Sequence, residues 1–170
     1  MISSRVAVAV HVLAYLAWRS DEPSTSERIA ASVNTNPVVV RRIVGALRNA
    51  GMVSVQPGVG GGAVLARDPS DITLLDVYRA VEDGGELFSV HAQPPSRECS
   101  VGANIVEVLQ GVFVRAHSAM EAVLGGVTVA QVGHEVMSRA RAAGCCGEAE
   151  RHEARVGAEA GRGAAEAFRA

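Results

Sequence analysis

Two adjacent arginines, Arg41 and Arg42, stand in the stretch NTNPVVVRRIVGALRNAG, residues 34–51. An arginine fork can donate two hydrogen bonds to the major-groove edge of guanine, an asparagine can pair with adenine, and a valine can touch a thymine methyl. Asn36, Val38 and Arg41 are therefore residue types that read bases. The plain alternative is a core helix with a solvated, charged outer face. An enzyme is not expected, because the chain shows no nucleophile–base pair, no metal-ligand spacing and no paired carboxylates at catalytic spacing. Its three cysteines, Cys99 and the adjacent Cys145-Cys146, do not make a disulfide framework. A reducing cytoplasm is the expected compartment.

The spacing around the arginines predicts the helix that must position them. Asn36 suits the cap, Pro37 the first helical position, and Gly51 the left-handed position after the end. Val40, Ile43, Val44 and Leu47 fall on one face at i, i+3, i+4 and i+7, while Val38, Arg41, Arg42, Gly45 and Arg48 fall on the other. Just upstream, Ser24-Thr25-Ser26-Glu27 reads as a capping box with Ser24 as the cap, opening a short helix to about Val33 with Ile29, Ala30 and Val33 inward. Two short helices joined by the Asn34-Thr35 turn make a helix-turn-helix pattern, in which the outward N-terminal half of the second helix enters the major groove. Directly after it, MVSV and AVLA flank a Pro-Gly-rich turn, which predicts a β-hairpin placed as a wing. Its GVGGG tip lacks the G-x-x-x-x-G-K-S/T pattern of a nucleotide-phosphate loop.

Other elements frame this unit. Residues 4–19 predict a first helix, buried on several sides through Val6, Val8, Val10, Val12, Leu13, Leu16 and Ala17. A second capping box, Thr73 to Asp76, opens a helix to about Glu82, with Leu74, Leu75, Val77, Tyr78 and Val81 on its apolar side. Residues 83–98 form a loop rich in glycine, proline and acids, in which Leu87, Phe88 and Val90 could act as anchors. Ser100 is the expected cap of a long helix over 101 to about 124. On that helix Ile105, Leu109, Val112, Ala116, Ala119 and Val123 step by four and three residues, the heptad seam of paired helices. A second stripe, Val106, Phe113 and Met120, would pack on the helix's own domain. Thr128 caps a short helix to about Ala142. The tail beyond has few large apolar residues and is expected to be poorly ordered.

The resulting expectation is a mainly α fold with a small β-hairpin. It divides into a winged helix-turn-helix domain at 1–82, a loop at 83–99, a dimerisation helix with a short helix at 100–142, and a tail at 143–170. Charge supports an anionic partner for the first part. Residues 1–67 carry seven arginines against three acids, a net +4, whereas residues 68–98 carry two against seven, a net −5. No apolar run reaches the roughly 18 residues of a membrane span. The apolar start, MISSRVAVAVHVLAYLAW, reads as a buried helix rather than a signal peptide, since it carries His11 and Trp18 and no small-x-small cleavage site closes the apolar run before charged residues begin.

In this order, SRVAVAVHVLAYLA, ERIAASVNTNPVVVRRIVGALRNAGMVSV, the GVGGG wing with AVLARDPSDITLLDVYRAVE, and CSVG before the long helix resemble the Rrf2 family of bacterial winged-helix repressors, over about residues 1–135. The resemblance implies a homodimer paired through the long helix on a double-stranded operator of inverted half-sites. It implies base contacts from Asn36, Val38 and Arg41, and phosphate contacts around Thr25 and Ser26; Arg42 is added from the helix face. At the wing, cluster-binding relatives carry a minor-groove arginine where this chain has Pro57. Gln56 is the expected substitute there, with Gly58 allowing close approach. Iron–sulfur members place three cysteines in the loop before the dimer helix, where this chain has Cys99 alone. A cluster needs about four ligands, so the expectation is no cofactor, with a cluster completed by His11, His91 or His117 as the alternative. Cys99, at a helix N-terminus, is the candidate redox sensor. The runner-up function is a winged-helix protein-interaction module that does not bind DNA specifically.

Overall fold

Placing Ala9, Val12, Leu13 and Leu16 at helical spacing makes one face of the first segment continuously apolar, and that face is buried. In the computed structural model, which describes residues 4–20, 22–58, 60–82 and 88–144, this segment is helix α1, Ser4–Trp18. The valines at 6, 8 and 10 would suit a strand, but here they flank the buried stripe and pack against it from partly buried positions.

Around α1 are arranged α2 (Ser26–Val33), α3 (Pro37–Asn49), strands β1 (Val53–Gln56) and β2 (Gly62–Leu65), and α4 (Leu74–Val81), with a single 3-10 turn at Pro69–Asp71 before α4. Helix α1 touches α2, α3, α4 and β2, so it is the hub of the core. Its Leu13 joins Ile29 of α2, Val40 and Leu47 of α3, Val53 of β1, Ile72, and Val77 and Val81 of α4 in one cluster essentially sealed from water. Burying a side chain of that size contributes roughly 1.5–3 kcal/mol. The first unit continues through α5 (Ser100–Gly125) and into the start of α6 (Val129–Ala142). Phe88, Val90 and the loop to residue 99 are described; Leu87, Cys145, Cys146 and the tail from 145 lie outside the described residues.

The caps set the helix starts, and two differ from the sequence expectation. Helix α2 is capped by Thr25, whose hydroxyl accepts from the Arg28 amide, not by Ser24. Ser24 is buried instead: its amide donates to the Ala63 carbonyl and its carbonyl accepts from the Ala63 amide. Those bonds add a third short strand position to the wing, so Ser24 serves the sheet rather than the helix. Helix α5 begins one residue earlier than expected, with Cys99 as its cap residue and no side-chain cap hydrogen bond. The Thr73–Asp76 capping box forms as expected, and the expected cap Thr128 forms a reciprocal pair with Gln131 before α6. Antiparallel bonding of Thr73 with Thr128 ties the start of α4 to the end of α5.

The wing is a two-stranded antiparallel hairpin pairing Val53 with Leu65 through to Gln56 with Gly62. Gly62 lies so close to Ser24 that an added Cβ would stand 2.6 Å from its carbonyl oxygen. Gly45, in the middle of α3, is the opposite case, because a Cβ there meets nothing within 4 Å. The same substitution should therefore have opposite signs at the two positions. Gly45→Ala should stabilise by about 0.5–1 kcal/mol through helix propensity, and Gly62→Ala should destabilise by about 1–3 kcal/mol through overpacking. Urea unfolding monitored by circular dichroism measures both, and equal signs would contradict the wing docking described.

Candidate nucleic-acid interface

Helix α3 is amphipathic in a way that fixes its rotation. Val40, Ile43, Val44 and Leu47 are buried. Val38, Val39, Arg41, Arg42 and Arg48 are exposed on the opposite side. Val39, one turn before Arg42, belongs to this outer face, although the sequence pattern did not single it out. Asn36 caps the helix through its Oδ1, which accepts from the Val38 amide at 2.8 Å. One lone pair of that oxygen and both Nδ2 hydrogens remain for another partner. Asn36 can thus shape the helix start and still face a base edge.

The neighbouring helix brings two more of the expected residues to the same side. Thr25 is exposed at the α2 cap and Ser26 is half-buried beside it, at the helix end where backbone N–H groups favour an anion. Sequence reasoning did not find the contact that crosses between the helices. Arg41 of α3 donates to the Glu27 carboxylate of α2. Fourteen residues separate the two, and no local periodicity signals such a contact. The Glu27 carboxyl is held below its ordinary value, first by its own backbone amide and then by the Arg41 guanidinium. Arg28, also on α2, lies 3.9 Å from Glu22.

At the wing, Gln56, Pro57 and Gly58 are exposed, and Gly58 and Gly60 take positive φ values of 100° and 80°. Only glycine enters that region freely, which gives the tip its tight reversal. The candidate residues therefore occupy two regions, the α2–α3 surface and the wing tip.

Helix α5 carries two adjoining stripes. Phe113 stacks on Phe88 with ring centroids 4.9 Å apart, and Glu121 accepts from Arg79 of α4 at 2.8 Å. Roughly a quarter-turn around the helix lies the seam. Of its six residues, Ile105, Leu109 and Ala116 are half-buried and Val112, Ala119 and Val123 are exposed. Val101 and Val108 extend the same arc and are 67% and 60% exposed. A row of open valines at heptad spacing is an apolar surface left uncovered by the described residues. Before this helix, Cys99 is exposed, and the amides of Gly102 and then Val101 hold its thiol below the ordinary value.

Comparison with known proteins bears on this geometry. The profile of the Rrf2 family, described as an iron-dependent transcriptional regulator, matches residues 2–135. YwnA of Bacillus subtilis (strain 168), which carries the name of an HTH-type transcriptional regulator, is 49% identical over 121 residues, covering 71% of this chain and 88% of YwnA. A crystal structure of a DNA-binding protein shares 42% identity and a TM-score of 0.62, covering 76% of this chain and 98% of its own. A transcriptional regulator from Lactobacillus plantarum superposes with a TM-score of 0.66 at 26% identity, over 81% of this chain and 92% of its own.

The iron named in that family description finds no matching ligand set among the described residues. Among the described residues no group of three or more His, Cys, Asp or Glu side chains converges. His11 lies 3.0 Å from the Ser32 hydroxyl, and His117 sits 3.8 Å from Glu121. Cys99 alone does not supply the roughly four ligands of a cluster.

The double use of Asn36 can be separated experimentally. Asn36→Ala should cost about 0.5–2 kcal/mol of stability by removing the cap, whereas Asn36→Ser should retain it. If Asn36 also reads a base, the serine variant should melt like the wild type yet bind its preferred duplex about tenfold more weakly. Unchanged binding would leave Asn36 as a cap only. Thermal melts and fluorescence anisotropy provide the two readouts.

Proposed function

Because this chain belongs to the Rrf2 family of transcriptional regulators, we propose that it acts as a homodimeric, sequence-specific repressor whose two α3 helices enter successive major grooves of one operator. The observation that carries this reading is the rotation of α3, which buries its apolar face in the core and turns Val38, Arg41 and Arg42 outward. Asn36, Val38 and Arg41 read bases, Thr25, Ser26 and Arg42 hold phosphates, and Gln56 and Gly58 bring the wing to the backbone. Such a division follows the general rule that phosphate contacts position a protein and base contacts specify its site. The open seam on α5, from Ile105 to Val123, pairs with the same seam of a second copy and sets the separation of the two reading helices. In this reading the repressor acts in the cytoplasm; none of the described helices is long and apolar enough to cross a membrane.

Cys99 is the sensing residue in this reading. It is exposed, its thiol is acidified by two backbone amides, and it stands where the loop enters the pairing helix. Oxidation there would change how α5 starts, and with it the placement of the two α3 helices.

One experiment tests the whole proposal. Duplexes are selected from a random-sequence pool with the purified full-length protein, then titrated by anisotropy across a salt series, reduced and after mild oxidation. The expected result is an inverted repeat with half-sites about one helical turn apart and affinity that falls steeply with salt. Oxidation should weaken binding by the wild type and spare the Cys99→Ser variant. No enriched sequence at moderate salt would contradict specific DNA reading. Equal sensitivity of Cys99→Ser would remove that residue from the sensing role.

A further inference from the structure

The pair joining α2 and α3 has a consequence for how Arg41 chooses its partner. Glu27 lies in the first turn of α2, one residue beyond the helix start, and its carboxylate receives the Arg41 guanidinium from the outer face of α3. Both side chains are more than half exposed. A pair so placed does little for stability, because solvent screens it and two long side chains must be ordered to make it. Helices α2 and α3 are held together independently of it, since Ile29 and Ala30 of α2 and Val40 and Ile43 of α3 share the buried core cluster.

We propose that Glu27 is a positioning and selectivity residue for DNA recognition, holding Arg41 so that it reads a base edge and is withheld from phosphates. The inference rests on the reading of Arg41 as a base-contacting residue. Guanidinium is a planar fork with five N–H donors. With one edge engaged by Glu27, the remaining donors are presented as a unit, with much of the rotamer freedom of an unpaired arginine already removed. The carboxylate is itself well placed for this task. It sits at the positive end of α2, where the helix dipole favours an anion, and its own backbone amide and the Thr25 hydroxyl also reach it.

The same carboxylate discriminates by repulsion. A guanine edge offers two acceptors and no net charge, so Arg41 can take it while still bonded to Glu27. If Arg41 swings onto a phosphate, it either abandons Glu27 or draws a second anion against the backbone. Specificity obtained by penalising the wrong partner is a general device. Here it weakens attachment to DNA of any sequence while leaving the preferred site untouched.

The test is a double-mutant cycle on the full chain, with wild type, Glu27→Gln, Arg41→Ala and the double variant. Each binds the duplex selected from the random pool and an unrelated duplex of equal length, at several salt concentrations. Melting of each variant confirms the fold. Glu27→Gln should bind unrelated DNA about two- to threefold more tightly, since one negative charge is gone. Its affinity for the selected duplex should fall about three- to fivefold as Arg41 loses its positioning, so the ratio of selected to unrelated affinity should fall about tenfold. In the Arg41→Ala background the glutamine change should leave that ratio unmoved. The proposal is overturned if Glu27→Gln shifts both duplexes equally, or if it lowers the ratio as much without Arg41 as with it. Should Arg41→Ala alone leave the ratio unchanged, the base-reading role of Arg41 fails, and the proposal fails with it. An effect of Arg41→Ala without one of Glu27→Gln would overturn the proposal alone.

Discussion

Val40, Ile43, Val44 and Leu47 occupy one face of α3 and pack into the cluster built on α1, and no rotation of the helix other than the observed one buries all four. A turn of even one residue, about 100°, would expose an apolar ridge and bury an arginine. Burying an unpaired guanidinium is far costlier than losing a methyl contact. The direction in which Arg41 and Arg42 point is therefore set by the core, several ångströms away from any contact they make. The caps refine that direction: Asn36 fixes where α3 begins, and Gly51 at φ 72° fixes where it ends. The wing follows immediately because the Met52 and Ala66 backbones are bonded across the strand ends.

Helix α5 is joined to this reading unit at two places with different chemistry. Thr73 and Thr128 form a backbone bridge, and Arg79 pairs with Glu121. The Phe88–Phe113 stack holds the described part of the acidic loop against the same helix. Helix α4 in turn touches both α1 and α3.

Much of this was legible in the sequence. The four-residue apolar pattern of α3 and the Asn-Pro and Gly signals at its ends were sufficient to place it, because each is a local rule with little competition. The Thr73 capping box was legible for the same reason. Ser24 was misread because Ser24 and Thr25 both satisfy the cap chemistry, and a tertiary demand decided between them: the wing needed a paired backbone at Ser24. The long helix was legible from its apolar stepping, and Val101 and Val108, which that stepping did not include, are exposed on the same arc. The Glu27–Arg41 contact was invisible, since it depends on the crossing of two helices rather than on spacing along either. The same holds for Gly62, whose close approach to Ser24 appears only once the wing has docked.

As a repressor dimer, the protein places two copies of α3 in successive major grooves of one duplex in the proposed complex. Dimethyl sulfate protection of guanine N7 reports that contact directly, because N7 faces the major groove. On a selected duplex, two protected patches centred about 10 base pairs apart are expected, both lost in Arg41→Ala. A single patch, or protection confined to the minor-groove face of adenine, would contradict it.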